Sequence, residues 1–289
     1  MKTVIADFEN WHIQCIPEDG GRISVLKFAG YDLLTRELPG FKPPDRFLGI
    51  YETRPVYGYD DCFPTVDPCI YPGDQTECRD HGELYSLEWK VLAEKQTLNC
   101  SAECLNPRVS FKRILTFDGY KLCWRFEVVN KSSRMIKFLH VMHALMPLEN
   151  IQYFSVPGFI SVIDEITQQQ CSMKDPQELY DHLAGVSNGN YNMILLRNTH
   201  EGFVKIGFKE GFILYIRYNC KMFPTLGVWW NNSGYPEEKG LERNECAFEP
   251  IPGTCSNLSK SSADGIFLSA APGKKLCWEI DWELEVKKN

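Results

Sequence analysis

The sequence predicts an all-β chain built as a large antiparallel β-sandwich with one or two short helices, and three observations carry that reading. The closing segment, KLCWEIDWELEV, places Leu276, Trp278, Ile280, Trp282, Leu284 and Val286 on one side and Cys277, Glu279, Asp281, Glu283 and Glu285 on the other. Alternation with period two over that length describes a strand with one apolar and one acidic face. Runs of the same character recur along the chain between glycine-bearing turns. Helix-forming sequence is confined to one good stretch.

In chain order, EDGG precedes the strand-like run RISVLKF, and SFKRILTF and KLCWRFEVV flank FDGY. In the second of these, Leu122, Trp124, Phe126 and Val128 share a face, so FDGY reads as a hairpin turn. KDPQELYDHLAG is the helix: Asp175 caps it, Pro176 takes the first helical position, Glu178 completes a capping box and Gly185 ends it. FVKIGF and FILYIRY follow around KEGF, and APGKK separates GIFLSAA from the closing strand. Many strands at such spacing argue for a large antiparallel sandwich. No internal repeat, low-complexity tract or Ser/Gly linker interrupts the chain, so residues 1–289 are expected to form a single domain.

Composition narrows the function. With 289 residues the chain can bury a core without staples, and a net charge of −7 without a basic run excludes nucleic acid as an expected partner. No run of 18 apolar residues predicts a membrane span. The start, MKTVIADFENWHIQC, carries acidic residues early and no continuous apolar stretch, so no signal peptide is expected and the location read from the sequence is cytoplasmic. There are 12 cysteines but no CxxC pair, so the thiols are expected to be reduced and mostly buried, with no metal site. Neither a GxGxxG, a P-loop nor a GxSxG elbow occurs, which removes nucleotide and serine-hydrolase chemistry.

Acid–base residues remain. In NECAFEPIPG, Glu249 sits among Ala247, Phe248, Pro250 and Ile251, where a strand is about to end. A buried carboxylate is costly, but desolvation raises its pKa and makes it a competent base. In CRDHGELYSLEW, His81 precedes a glycine and lies among Arg79, Asp80 and Glu83. His140 and His143, in FLHVMHALMPL, stand three apart in a strand-like run, so they face opposite ways. In FPTLGVWWNNSGYP, Gly227, Trp229 and Asn231 share one face and Val228 and Trp230 the other. A tryptophan beside an amide suits a pyranose, whose C–H face stacks on aromatics. Histidines satisfied within the fold, and tryptophans that are both core, fit the same residues.

The ordered set resembles the aldose 1-epimerase, or galactose mutarotase-like, family: GGRISVLKFAGYDLL, DDCFPTV and CRDHGELYSLEW, FLHVMHALMPL, LGVWWNNSG, CAFEPIPGTCSNL and finally APGKKLCWEIDWEL. The resemblance runs through nearly the whole chain. It implies a β-supersandwich and an isomerase that interconverts sugar anomers by acid–base ring opening, with no metal and no cofactor. It places the base on Glu249, the acid on His143 rather than His140, and a substrate-holding histidine on His81. The family's early arginine has no match, and DDCFPTVDP offers Asp60, Asp61 and Asp67 there instead. Asp61 and Arg79 are therefore expected substrate contacts, beside Trp229 and Asn231. The family's binding aspartate is likewise unmatched, since Asp164, Asp175 and Asp181 lack its context. The partner implied is a small-molecule sugar, for a monomer or homodimer. Two alternatives stand beside this: a carbohydrate-binding sandwich without turnover, and an epimerase or lyase acting at another carbon with Tyr71 or Tyr85.

Overall fold

The alternation of the closing strand is the axis of the larger sheet. In the computed structural model, which describes residues 2–39, 51, 54–237 and 240–286, Trp278, Ile280, Trp282 and Leu284 of the strand Lys275–Val286 are buried while Glu279 and Glu285 are exposed. This strand lies fourth in an eight-stranded antiparallel sheet. The order across it is Ile151–Ser155, Phe203–Phe208, Phe212–Arg217, Lys275–Val286, Lys121–Asn130, Arg108–Asp118, Thr97–Leu105 and Lys90–Glu94. The expected hairpin forms at FDGY, where Asp118 pairs with Lys121 and Gly119 takes φ 54°. Glycine adopts that left-handed backbone without a Cβ penalty.

Two six-stranded sheets supply further faces. One orders Val4–Phe8, Trp11–Ile16, Arg22–Phe28, Tyr59–Cys62 and Val141–Ala144, with Tyr31–Asp32 paired to Arg22–Phe28. The other orders Met146–Pro147, Arg243–Ile251, Thr225–Tyr235, Asn190–Arg197, Ser161–Asp164 and Gln169–Cys171. Only Leu145 separates the last strand of the first from the first strand of the second; its N–H donates to Gly58 O at 2.9 Å and its carbonyl accepts from Thr35 N at 2.8 Å.

One continuous core draws on all three sheets. Phe8 stacks on Phe117 with centroids 4.4 Å apart, Tyr59 meets Trp124 at 4.6 Å, and Phe154 meets Trp230 at 5.3 Å. Burial of such aromatic surface is the dominant favourable term, and offset or edge-on pairs add to it. Among the described residues the architecture is a sandwich of antiparallel sheets, mostly strand with two short helices.

The predicted helix is α1, Pro176–Ala184, with Asp175 accepting from the N–H groups of Gln177 and Glu178. Its capping box is shifted by one residue: the Glu178 carboxylate accepts from Lys174 N at 2.7 Å rather than from the Asp175 amide. A second helix, α2 at Leu258–Ala263, is capped by Asn257. GIFLSAA yields only the short strand Leu268–Ala270, because Ile266 N still donates to Ser261 O at 3.0 Å in closing that helix. All twelve cysteines are free thiols. No helix among the described residues is long and apolar enough to cross a membrane.

Candidate active site

Successive side chains of a strand face opposite ways, and the strand Tyr59–Cys62 uses this to serve two environments. Tyr59 and Asp61 face the main core, whereas Asp60 faces His143 on the other side and Cys62 packs there in a smaller apolar cluster with Val141, Leu195 and Ile251. Val141–Ala144 runs antiparallel beside it, with His143 opposite Asp60 and Val141 opposite Cys62. The His143 Nδ1 lies 2.9 Å from Asp60 Oδ1. Tyr51 donates its hydroxyl to Asp60 Oδ2 at 2.9 Å and sits 3.0 Å from the same histidine nitrogen.

Behind this contact stand two buried arginines. Arg54 and Arg22 approach Asp60 Oδ2 at 3.4 and 3.8 Å, and both bond to Asp19, at 2.5 and 2.6 Å. Burial alone would raise the Asp60 pKa, but the His143 hydrogen bond and the charges around it outweigh burial and hold it well below the usual carboxylate range. His143 itself is lowered: desolvation dominates, and the Asp60 bond offsets only part of it.

His81 reaches the same place by a backbone turn. It has φ 56° and Gly82 has φ 75°, so the chain passes through two left-handed residues in succession. A Cβ at Gly82 would stand 1.9 Å from the Phe63 carbonyl oxygen, which makes that glycine obligatory. The turn lays the His81 ring flat on Tyr51, with centroids 3.6 Å apart, and edge-on to His143 at 5.1 Å. His81 Nδ1 lies 3.1 Å from Asp80 Oδ2, yet it is buried without an aligned hydrogen bond.

The facing wall comes from the second six-stranded sheet. Gly227 pairs with Glu249 and Trp229 with Ala247 across neighbouring strands. Trp230 turns inward to Phe154, while Trp229 turns outward and meets Tyr191 and Tyr235 at 5.5 and 5.7 Å. Trp229 Nε1 donates to Glu245 Oε1 at 3.3 Å, and Arg243 Nε donates to the same oxygen at 2.8 Å. Glu249 is only 4% exposed, and burial, then Glu165 and Asp60, push its pKa up to about 8. Glu165 accepts from Ser256 N and Oγ at 3.0 and 2.7 Å, and burial raises it too despite those bonds.

Between the walls lies a cavity of about 320 Å³, lined among others by Tyr51, His81, His143, Glu165, Trp229 and Glu249. That volume is at the small end of ligand sites. Four of the expected residues, Glu249, His143, His81 and Trp229, thus meet around one cavity.

The other three expected contacts lie elsewhere. Asp61 is turned into the core by the strand's alternation: Arg113 Nη1 donates to it at 2.5 Å, Tyr59 Oη at 2.5 Å, and His140 Nε2 lies 2.9 Å away. The neighbour Asp60 faces the cavity side in its stead. Arg79 is exposed and does not line the cavity, although Asp80 and His81 beside it do. Asn231 is fully buried and holds the turn that carries Tyr235, donating to Tyr235 O at 2.7 Å and accepting from Gly234 N and Tyr235 N at 2.9 and 3.0 Å. Tyr71 and Tyr85 do not line the cavity either: Tyr71 donates to Lys137 O at 2.9 Å, and Tyr85 packs edge-on beneath Tyr51 at 4.9 Å.

Sequence reasoning missed Tyr51, Arg22 and Arg54, Glu165, Tyr191 and Arg243. Glu165 directly follows Asp164, which was weighed, at the end of the short strand Ser161–Asp164; no local signal separates the two. Among the described residues, ligand atoms of Cys62, His81 and His143 lie within 4.8 Å of one another and could hold a metal ion.

The chain is similar in fold to solved structures over almost its whole length. A galactose mutarotase related enzyme from Lactobacillus acidophilus superposes with a TM-score of 0.69 at 17% identity, covering 99% of this chain and 100% of that one. A galactose mutarotase-like protein from Clostridium acetobutylicum gives 0.70 at 14% identity, covering 99% and 95%. Galactose 1-epimerase from Lactobacillus acidophilus NCFM gives 0.63 at 10% identity, with coverage of 99% and 95%. No protein-family model and no curated protein sequence matches the chain.

Proposed function

We propose that this cavity interconverts the α and β anomers of a free, neutral sugar, with Glu249 and His143 as the proton-transfer pair. The observation that carries the reading is that a desolvated carboxylate and an oriented imidazole, 106 positions apart in sequence by their numbers (249 − 143) and carried on two different sheets, line one cavity of small-ligand size. Glu249 takes the proton of the C1 hydroxyl while His143 gives one to the ring oxygen. The C1–ring oxygen bond breaks, C1 becomes a carbonyl, and rotation about C1–C2 followed by the reverse transfers closes the other anomer. The two groups exchange one proton in each direction, so the pair ends as it began.

Three features support this chemistry. Asp60 fixes the His143 tautomer with its proton on Nδ1 when the ring is neutral, leaving Nε2 for the ligand. Trp229, Tyr191 and Tyr235 offer aromatic faces to sugar C–H groups. Among the described residues, Asp67, Asp80, Glu165 and Glu249 line the cavity against one arginine, Arg243, which is tied to Glu245; this favours an uncharged sugar over a sugar phosphate.

The test is exchange spectroscopy on the anomeric protons across hexoses, pentoses and hexose phosphates. A neutral sugar should show enzyme-dependent α–β exchange that Glu249→Gln removes. Binding shifts without exchange for every sugar would overturn the proposal in favour of a binding protein.

A further inference from the structure

We infer that Cys62, His81 and His143 form a binding site for a single thiophilic divalent cation such as Zn²⁺ beside the cavity that the two histidines line. The inference does not rest on the sugar reading: Asp60 occupies His143 Nδ1, so the cation would take Nε2, and the metal-bound and proton-transferring states of His143 exclude one another. No linear motif announces the site, because positions 62, 81 and 143 converge only through the fold: strand pairing sets His143 opposite Asp60, two residues from Cys62 on the same strand face, and the turn at His81 and Gly82 brings the second imidazole over them. Ligand atoms of the three residues lie within 4.8 Å of one another. In a tetrahedral zinc site with Zn–S of about 2.3 Å and Zn–N of about 2.0 Å, those atoms stand about 3.3 to 3.6 Å apart. Small side-chain rotations would close the difference.

The surroundings match what such a cation needs. A carboxylate stands behind His143, Asp60 at 2.9 Å, the usual backing of a metal-binding histidine, and Asp80 lies 3.1 Å from His81 Nδ1 without an aligned hydrogen bond. His81 Nδ1 is buried and lacks an aligned partner, and this ring has most to gain from a fixed orientation. The Cys62 sulfur lies among Val141, Leu195, Ile251 and Cys255, an apolar setting in which a soft metal–thiolate bond is shielded from water. Two imidazoles and one thiolate leave a fourth position open to the cavity. On binding, the Cys62 S–H bond breaks, its proton leaves to solvent and the sulfur lone pair forms the bond to the metal, with no change of oxidation state.

Titration of the full, chelator-treated chain with Co²⁺, followed by thiolate-to-cobalt absorption in the near ultraviolet, tests the site. A band saturating at one Co²⁺ per chain and displaced by Zn²⁺ is expected. Cys62→Ser should abolish the band, Cys255→Ser, which changes the neighbouring buried thiol, should keep it, and Asp80→Asn should weaken binding by about tenfold. Absence of a band in the unmodified chain, or its survival in Cys62→Ser, would overturn the inference. Should Cys62→Ser fail to fold, His143→Gln decides, since it keeps every thiol: at least about tenfold weaker Co²⁺ binding supports the site, and unchanged affinity sinks it. None of these readouts uses a sugar, so absence of anomer exchange in the chelator-treated, metal-free chain would count against the sugar reading alone.

Discussion

Asp60 and Asp61 are consecutive residues that hold two different histidines in two different layers. Asp60 meets His143 at 2.9 Å on the cavity side, and Asp61 meets His140 at 2.9 Å within the core. Each carboxylate is charge-balanced by buried arginine, Arg22 and Arg54 for the first and Arg113 for the second. Two near-identical pairs therefore do different work: one orients a residue that lines the cavity, and the other satisfies polar groups inside the sandwich. Removing the Asp60 carboxylate leaves two guanidinium groups buried with Asp19 alone. Asp60→Asn should lower stability by about 3 to 5 kcal/mol in denaturant melts and reduce kcat more than it changes KM. A fall in stability with kcat untouched would show that the pair is structural only.

Glu249 should behave oppositely towards stability. Its pKa rises on folding from 4.5 to about 8, so the folded state keeps a proton that the unfolded state gives up. That contribution destabilises progressively as pH rises from about 4.5 to 8, by about 3 to 5 kcal/mol at full ionisation. Glu249→Gln should therefore match the parent in melting temperature near pH 5 and exceed it near pH 9. It should also lower anomer exchange by about 10² to 10⁴-fold. Parallel melting curves for the two proteins at every pH would refute the burial-driven shift.

The same shifts fix the pH profile. Glu249 is raised to about 8 and His143 is lowered from 6.5, so between those limits the pair holds one proton, which rests mainly on Glu249; the reactive form, with Glu249 ionised and the proton on His143, is the minor tautomer of the pair. Above about 8 that proton is lost and no acid remains; below the histidine's lowered pKa a second proton arrives and no base remains. A bell for kcat/KM follows, with its alkaline limb near pH 8 and its acid limb below 6.5, belonging to the pair and not to either residue alone. A profile still rising at pH 10 would contradict this.

Trp229 and Asn231 separate binding from scaffolding. Trp229 lines the cavity, so Trp229→Ala should raise KM by about three- to tenfold with a smaller change in kcat. Asn231 makes three hydrogen bonds to the turn at Tyr235, so Asn231→Ala should cost about 2 to 4 kcal/mol in thermal melts. If the stability loss fell on the tryptophan variant instead, the assignment of the two roles would be reversed.

Gly82 is a backbone necessity. Any Cβ there meets the Phe63 carbonyl, and φ 75° disfavours L side chains independently. Gly82→Ala should destabilise by about 2 kcal/mol or more and displace His81 from Tyr51, which the histidine ring resonances in NMR would report. Unchanged stability and ring shifts would mean the turn can relax without cost.

How much of this was legible beforehand follows physical lines. The alternation of Lys275–Val286, the FDGY hairpin and the capped helix α1 are local patterns, and they appear where the sequence puts them. The opposite facing of Trp229 and Trp230, and of His140 and His143, follows from period two alone. Choosing between Asp60 and Asp61 was another matter. Alternation says that they face apart, but which one faces the core depends on how the strand is laid on the eight-stranded sheet. Arg22 and Arg54 read as ordinary charged residues until both are seen converging on Asp19. Glu165 likewise gains meaning only from its approach to Glu249 across the cavity.

Leu145 is a one-residue seam between the sheet that bears His143 and the sheet that bears Glu249, and its amide and carbonyl are both tied down. The walls bearing His143 and Glu249 are thus continuous in the chain, and Val141–Ala144 also packs directly against Arg243–Ile251. Any change of packing at this seam would therefore reach both walls of the cavity at once, although Leu145 itself does not line it.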